Sequence, residues 1–415
     1  MSTALISAQT RVESPFIIAK IGSYTFGKFD KKTTTQKQYS KISVTYPNFM
    51  EALNITKING AVNTYTLRMV YGITQNDDPN MLEKVFSSVS KSRKITLQYG
   101  DWSIPTYIYK EEEALITKVT SNVDFSNSKI SYTISCVSTS ISFKAGVHNF
   151  KARKAKPSDV IKELVKQRNW GITDVLTGMK NLDSSKLSQL IVGDDQIVNI
   201  EAKTCNVFDY IAYLVSCMVC ITDTDPALKK TNYYWAVYDD TTNDFGGSYF
   251  KVTHVTAGTK NKISYNTYEV DVGYPSGSYI TAFNIKTNDT WSILYDYGQE
   301  IQQPQYQYTI DKDGNLQDIY SPSVTTSKNY GRTTEENRTW WSKMTQFPIS
   351  ASLEIKGLLR PVLLMSYLKV NTYFYGRKHI SSGLYIITKQ EDSISSAGYK
   401  TTLSLTRISG DDEYV

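Results

Sequence analysis

The sequence predicts a mainly β protein in which a small α/β insertion separates two β-sheet domains, and a barrel or a sandwich is the simplest way to cover the apolar face of the final sheet. Three observations predict this class. About fifty residues near the carboxyl end alternate apolar and polar side chains, residues 1–145 alternate over several segments, and residues 146–260 contain two stretches with helical apolar spacing. The chain has 415 residues, and a domain averages about 150. We therefore expect domains at 1–145, 146–260 and 261–415.

Residues 357–406 are expected to form an antiparallel meander. Apolar residues recur at every second position in three segments, which predicts three strands with one apolar and one polar, Thr-rich face. The segments are Leu368–Tyr375, Leu384–Lys389 and Tyr399–Thr406. Glycines 376, 383 and 398 lie at the connections, and the acidic, Ser-rich residues after Lys389 are expected to form a turn.

Residues 1–145 are expected to contain several strands and a single helix. Asn59-Gly60 is a strong hairpin signal, and Asp78 with Pro79 marks the start of a helix whose apolar face includes Met81, Leu82 and Val85. The expected strands are 16–22, 41–46, 53–58, 64–71, 94–99, 114–120 and 128–137.

Residues 146–260 are expected to form the α/β module. A short basic link with Lys151, Arg153, Lys154 and Lys156 leads into a helix that opens at Pro157. A second helix is expected after Asn206, because Asn206 and Asp209 have the spacing of a capping box. Strands are expected at 233–238 and 249–254.

The final domain, 261–415, begins with expected strands at 268–273, 279–286 and 290–297. An extended polar segment follows at 298–345 and ends in a short helix at 334–344 that contains Trp340 and Trp341. A strand at 349–355 then opens the final sheet. No sequence repetition between residues 1–145 and 261–415 can be read from the letters.

Composition excludes several classes of protein. A net charge of +6 over 415 residues is mild, and the four basic residues of the link at 151–156 lack stacking aromatics, so the sequence does not indicate a nucleic-acid binder. The four cysteines at 136, 205, 217 and 220 do not form a disulfide framework, and Cys217 and Cys220 fit a helical core. No leader peptide or membrane anchor is expected. The 31 tyrosines are typical either of a β-rich protein or of a protein with a large contact surface.

No residue is expected to be catalytic, to bind a cofactor or to hold a metal ion. His148, His254 and His379 are isolated, and the motifs of zinc proteases, serine hydrolases and P-loop enzymes are absent. Residues 311–315 have the Asp, Asn and Gly composition of a calcium-binding loop, but position 12 of an EF-hand would be Pro322, so a β-turn is expected. Residues 111–113, three glutamates, are expected to form a solvated turn.

The carboxy-terminal segments SSGLYIIT and AGYKTTLSLTR resemble the sequences of phage tail baseplate hub proteins. The segments KPSDVIKEL and NVFDYIAYLV, with the aromatic strand that follows them, resemble the same family. This resemblance implies two tail-tube-like β-barrels and a structural, non-enzymatic role in the virion. It further implies a homotrimer that adapts a six-fold tail tube to a three-fold tip or spike. Implied partners are the tube, spike, tape-measure and other baseplate proteins, with DNA passing through the channel.

Two other classes remain open from the residues alone. The tyrosine excess also suits a carbohydrate-binding, adhesin-like β module with aromatic platforms. A cell-wall hydrolase would need paired carboxylates in a cleft, which the sequence does not reveal.

Overall fold

The structure is a computed structural model that describes residues 3–4, 15–28, 46–47, 50–74, 80–88, 93–101, 112–166, 195–218, 231–240, 247–256, 267–272, 280–287, 308–310, 316–318, 349–356, 364, 367–379 and 381–410. Several predicted features lie outside these residues. They are the strand at 290–297, most of the polar segment at 298–345 with its turn at 311–315 and its helix at 334–344, the helix start at Asp78 and Pro79, Cys220, and most of the strand at 41–46.

The protein is mainly β with an α+β insertion, as predicted. The strands are β1 (Thr3–Ala4), β2 (Pro15–Ile21), β3 (Tyr24–Lys28), β4 (Tyr46–Pro47), β5 (Met50–Ile58), β6 (Thr64–Gly72), β7 (Lys94–Asp101), β8 (Glu112–Asp124), β9 (Lys129–Ser138), β10 (His148–Phe150), β11 (Arg153–Ala155), β12 (Val198–Ile200), β13 (Lys203–Cys205), β14 (Thr231–Asp240), β15 (Gly247–Thr256), β16 (Thr267–Val272), β17 (Ile280–Thr287), β18 (Tyr308–Ile310), β19 (Leu316–Asp318), β20 (Ile349–Lys356), β21 (Tyr367–Phe374), β22 (Arg377–Lys378), β23 (Gly383–Ser395) and β24 (Gly398–Gly410). The helices are α1 (Met81–Ser88), α2 (Pro157–Lys166) and α3 (Val207–Cys217), with a 3-10 turn at Thr139–Lys144.

One sheet joins the two ends of the chain. Strand β23 pairs antiparallel with β5, so the amino-terminal strands and the carboxy-terminal strands continue into each other. Their inward faces share one apolar core, in which Leu53 and Leu67 lie with Leu353, Leu403 and Leu405. The two expected barrels are therefore not separate bodies, and neither closes into a barrel within the described residues.

The two halves of this sheet have the same strand order. In the amino-terminal half the order across the sheet is β2-β7-β8-β9-β6-β5, and in the carboxy-terminal half it is β16-β21-β23-β24-β20-β17. If the six strands of each half are numbered from 1 to 6 in chain order, their order across the sheet is 1-4-5-6-3-2 in both halves. They differ at the first strand, because β2 pairs antiparallel with β7 whereas β16 pairs parallel with β21.

The registers of the two halves also agree. The β5–β6 ladder is irregular between Met50 and Ala52, and the β17–β20 ladder is irregular between Ile280 and Ala282. The β8–β9 ladder shifts between Ile116 and Lys118, and the β23–β24 ladder shifts between Ile387 and Lys389. Bulges are specific features of a fold, so their shared positions show that the halves are two copies of one structural unit.

The insertion repeats as well. The segment β10-β11-α2 and the segment β12-β13-α3 are ββα units that exchange strands, since β10 pairs with β13 and β11 pairs with β12. A shift of 50 residues converts the pair His148–Cys205 into the pair Val198–Ala155. The same shift aligns six identical residues, Asn149/Asn199, Ala152/Ala202, Asp159/Asp209, Ile161/Ile211, Leu164/Leu214 and Val165/Val215. The module is therefore an internal duplication around its own apolar core.

Both module helices are capped, by different means. The Asn206 side chain accepts a hydrogen bond from the Asp209 N–H at 2.8 Å, which confirms the predicted cap. Helix α2 is capped from a distance in sequence, because the buried Asp195 carboxylate accepts hydrogen bonds from the Ser158 N–H and the Ser158 hydroxyl. Burial raises the pKa of Asp195, although the Ser158 hydrogen bonds oppose the shift.

Candidate assembly interface

The β23–β5 pairing, here called the intrachain seam, joins the two units of the sheet. Lys389 to Ile394 of β23 lie opposite Ile58 to Leu53 of β5. On the inward face Ile394 lies opposite Leu53, and Asp392 lies opposite Ile55. On the outward face the Ser393 hydroxyl donates a 2.8 Å hydrogen bond to the Asn54 side-chain oxygen.

Strand β23 reaches β5 because it divides one of its edges between two partners. One edge pairs with β24 along almost the whole strand. The other edge pairs with β21 through Gly383–Ile386 and, after the bulge, with β5 through Lys389–Ile394. The bulge thus marks the point where the strand leaves its own unit and joins the next one.

Strand β8 occupies the same place in the amino-terminal unit. One of its edges pairs with β9, and the other pairs with β7 through Glu112–Leu115. Beyond the bulge, the second edge of residues 117–124 has no strand partner among the described residues; we call it the β8 edge. Val119 and Val123 lie opposite the buried Ile134 and Ile130, yet they are 37% and 46% exposed. The inward, apolar face of β8 therefore continues beyond the residues that pair with β7, and its side chains are exposed there.

The series of paired strands that begins at β8 ends at β17, and the outer edge of β17 is also unpaired among the described residues. Strand β17 pairs with β20 on one side, and its second side has no strand partner in the described part of the chain; we call it the β17 edge. Phe283 packs partly against the core, while Ile285 on the same face is 38% exposed. Unpaired edges of this kind are templates for another strand.

A buried ionic network lies at the amino-terminal side of the seam. The Lys57 ammonium is 2.8 Å from Glu112 Oε1, and both side chains are almost fully buried. The Tyr99 and Tyr65 hydroxyls donate hydrogen bonds to the Glu112 oxygens at 2.7 and 2.9 Å. Burial, reinforced by the Glu112 carboxylate, raises the pKa of Tyr99 well above its usual value.

A second polar group lies beside it on the carboxy-terminal unit. Thr401 Oγ1, Gln390 Nε2 and the Tyr399 hydroxyl donate hydrogen bonds to Asp392 at 2.6, 2.7 and 3.3 Å. Burial raises the pKa of Asp392 to about 6, while the Thr401 hydrogen bond and the Lys57 charge lower it. Gln390 lies directly opposite Lys57, so the two groups meet across the seam.

Two sequence predictions about these residues were wrong. Glu112 was expected in a solvated turn, but it begins β8 and lies on the inward face with Ala114 and Ile116. The acidic residues after Lys389 were expected in a turn, but they continue β23, and Asp392 is buried. In both cases the charged residue lies at every-second-residue spacing from buried neighbours on the same strand. That alternation in the sequence could have predicted a strand with the charged side chain on its inward face.

The other residues singled out in the sequence are dispersed. His148, His254 and His379 lie on β10, on β15 and after β22. In the basic link, Arg153 forms a 2.7 Å ion pair with Glu163 of α2. No group of three or more metal-binding side chains occurs among the described residues. Within the same residues, no helix has the length and apolar character needed to cross a membrane.

Solved structures similar to this chain include tail proteins and a component of a type VI secretion system. The 43 kDa tail protein of prophage MuSo2 from Shewanella oneidensis is 12% identical, with a TM-score of 0.46 over 94% of this chain and 96% of that one. A tail protein from Neisseria meningitidis MC58 is 8% identical, with a TM-score of 0.46 over 95% and 97%. The E. coli c3393 protein, a component of the type VI secretion system, is 6% identical, with a TM-score of 0.43 over 86% and 73%.

This likeness agrees with the resemblance read from the sequence. No sequence-family profile matches the chain, and no curated protein does. Because the TM-scores lie below 0.5, we argue the function from the residues of this chain.

Proposed function

We propose that this protein is a structural component of a phage tail baseplate, a trimeric hub that adapts a six-fold tail tube to a three-fold tip and lines the central channel. The tail setting follows from the sequence resemblance at residues 357–407 and 150–255. The proposed partners are the tube protein on one side and a spike or tip protein on the other. Tape-measure protein and DNA would pass through the channel.

The observation that carries this proposal is the repetition of one six-strand unit within the chain. The units are joined head to tail, because the fifth strand of one, β23, pairs with the second strand of the other, β5. A head-to-tail contact leaves one complementary edge free at each end, and repeated contacts of this type build a ring when the rotation between neighbours closes and an open filament when it does not. Three chains supply six such units, which matches a six-fold partner while keeping three-fold symmetry.

The role requires no catalytic group. The buried carboxylates Glu112 and Asp392 are enclosed by tyrosine, threonine, lysine and glutamine side chains of the core. A general acid or base must be within hydrogen-bond reach of its substrate, and these groups are within reach of the core instead.

Native mass measurement and negative-stain microscopy of the purified full chain test the proposal. We expect a species of three 47.0 kDa chains with three-fold symmetry and a central opening. A monomer or a two-fold dimer that persists in the presence of purified tail tube would contradict the hub. Glycan binding by such a monomer would instead support the adhesin alternative.

A further inference from the structure

We propose that the β8 edge of one copy pairs antiparallel with the β17 edge of a second copy, in the register that β23 and β5 have within the chain. The inference rests on the proposed ring and adds the surface, the partner strand and the residue pairs. Both edges are described, and within one chain they do not pair with each other. The partner of each edge is therefore sought in another copy.

The register follows from the equivalence of the two units. Position 123 of β8 corresponds to Ile394 of β23, because Val123 lies opposite Ile130 in the same place in its ladder as Ile394 opposite Tyr399. Position 283 of β17 corresponds to Leu53 of β5, because Phe283 lies opposite Leu353 as Leu53 lies opposite Leu67. Ile394 lies opposite Leu53 in the seam, so Val123 is placed opposite Phe283.

The transferred register gives a consistent set of neighbours. Directly opposed residues of an antiparallel pair share a face of the sheet. The core-facing pairs are Val123 with Phe283 and Ser121 with Ile285, and the same register places Val119 opposite position 287. The outward pairs are Asn122 with Asn284 and Thr120 with Lys286, so no like charges oppose each other. The exposed apolar residues of both edges, Val119, Val123 and Ile285, would all be covered by this one contact.

The outward pair also copies a contact already present in the chain. Asn122 and Asn284 correspond to Ser393 and Asn54, which are joined by a 2.8 Å hydrogen bond at the intrachain seam. Two asparagine side chains can form the same type of bond, because each carries both a donor and an acceptor.

Paired cysteines test this register. Opposed residues of an antiparallel ladder have Cα atoms about 4.5 or 5.5 Å apart, within the range of a disulfide. We would make Asn122→Cys with Asn284→Cys in one chain, and Val123→Cys with Phe283→Cys in another. Adjacent pairs alternate between the two spacings, so one of the variants has the closer geometry. The controls are Asn122→Cys alone and the off-register combination of Asn122→Cys with Lys286→Cys.

After mild oxidation of the full-length assembly, we expect covalent dimers and closed trimers from the in-register variants, at roughly tenfold the yield of either control. Equal yields from the in-register and off-register variants would overturn the register. A disulfide within one chain, or no cross-link in an assembly of native mass, would overturn the edge pairing and leave the hub standing. An in-register cross-link in rings of another copy number would support the pairing and contradict the three-fold hub.

Discussion

The intrachain seam and the edge pair proposed between copies occupy equivalent places but carry different side chains. At the seam the inward positions hold Gln390 and Asp392 opposite Lys57 and Ile55. The equivalent positions of the free edges are Val119 and Ser121 on β8, with Thr287 and Ile285 on β17. The inward positions of the seam thus bury charge, whereas the equivalent inward positions of the free edges carry uncharged residues.

This difference suggests how the two contacts are kept distinct. Buried polar groups that find partners at one interface and none at another disfavour the wrong pairing. If β23 paired with the β17 edge of another copy, Asp392 would keep its hydrogen bonds to Gln390, Tyr399 and Thr401 but would lose the nearby Lys57 charge. We therefore propose that the Lys57 charge beside Asp392 favours the pairing of β23 with β5 over the pairing of β23 with β17 of another copy.

The largest effect is expected from breaking the network. Glu112→Leu leaves the Lys57 ammonium and the Tyr65 and Tyr99 hydroxyls buried without their shared acceptor. Removing one partner of a buried ion pair costs about 3–5 kcal/mol of unfolding free energy, measurable by chemical denaturation. The matched control is the exposed neighbour, with Glu113→Leu expected to change stability by less than about 0.5 kcal/mol. Similar losses in both variants would contradict a role for the network.

The next effect concerns the free edge. Val123→Glu would place an unpaired carboxylate between two copies, and we expect self-association to weaken roughly 100-fold while the fold of each chain is kept. Val147→Glu is the control, because Val147 is also exposed but lies outside the sheet, before β10. Sedimentation at several protein concentrations measures both variants. Unchanged association of the Val123 variant would show that this edge does not hold the ring.

The Asp392 carboxyl gives the seam a pH dependence. Its folded pKa, about 6, lies above its usual value of 3.8, so the folded state holds the proton more tightly than the unfolded state. Its contribution to stability is present below pH 4 and is lost as the pH rises through about 6. Asp392→Asn stays neutral, so its stability relative to the natural chain should rise by at most about 3 kcal/mol between pH 4 and 7. A difference that is flat with pH would exclude the shift.

The smallest effects are expected from alanine substitutions at Ser393 and Asn122, which distinguish the intrachain seam from the proposed contact between copies. Ser393→Ala removes the exposed hydrogen bond to Asn54 and should lower the unfolding free energy by about 0.5–1 kcal/mol. Asn122→Ala, at the equivalent position of β8, should leave the stability of a single chain unchanged and weaken association instead. Denaturation and sedimentation of both variants distinguish the outcomes. The same response from both would mean that the two positions are not equivalent.

Local features of this fold could be predicted from the sequence. Period-2 alternation located most of the described strands, and the Asn206 cap was confirmed. These features depend on neighbours in sequence, so a short window contains the necessary information. The boundaries proposed for the three domains stay predictions.

Long-range features could not be predicted in this way. The seam joins Asn54 to Ser393, which are 339 residues apart, and no local pattern specifies that pairing. The sequence did not reveal the duplicated six-strand unit, because its two copies share strand order and bulge positions but not residue types. Glu112 in one copy, for example, is aligned with Gly383 in the other. The duplication within the α/β module was readable, since a shift of 50 residues aligns identical Asp, Ile and Leu residues.

A cryo-microscopy reconstruction of the assembled full chain tests the central claim most directly. The account predicts one unbroken antiparallel ring of strands, with Val123 of each copy opposite Phe283 of the next, as Ile394 lies opposite Leu53 within the chain. A map in which residues 117–124 pair with a strand of their own chain, or in which β17 faces solvent in the assembly, would contradict it.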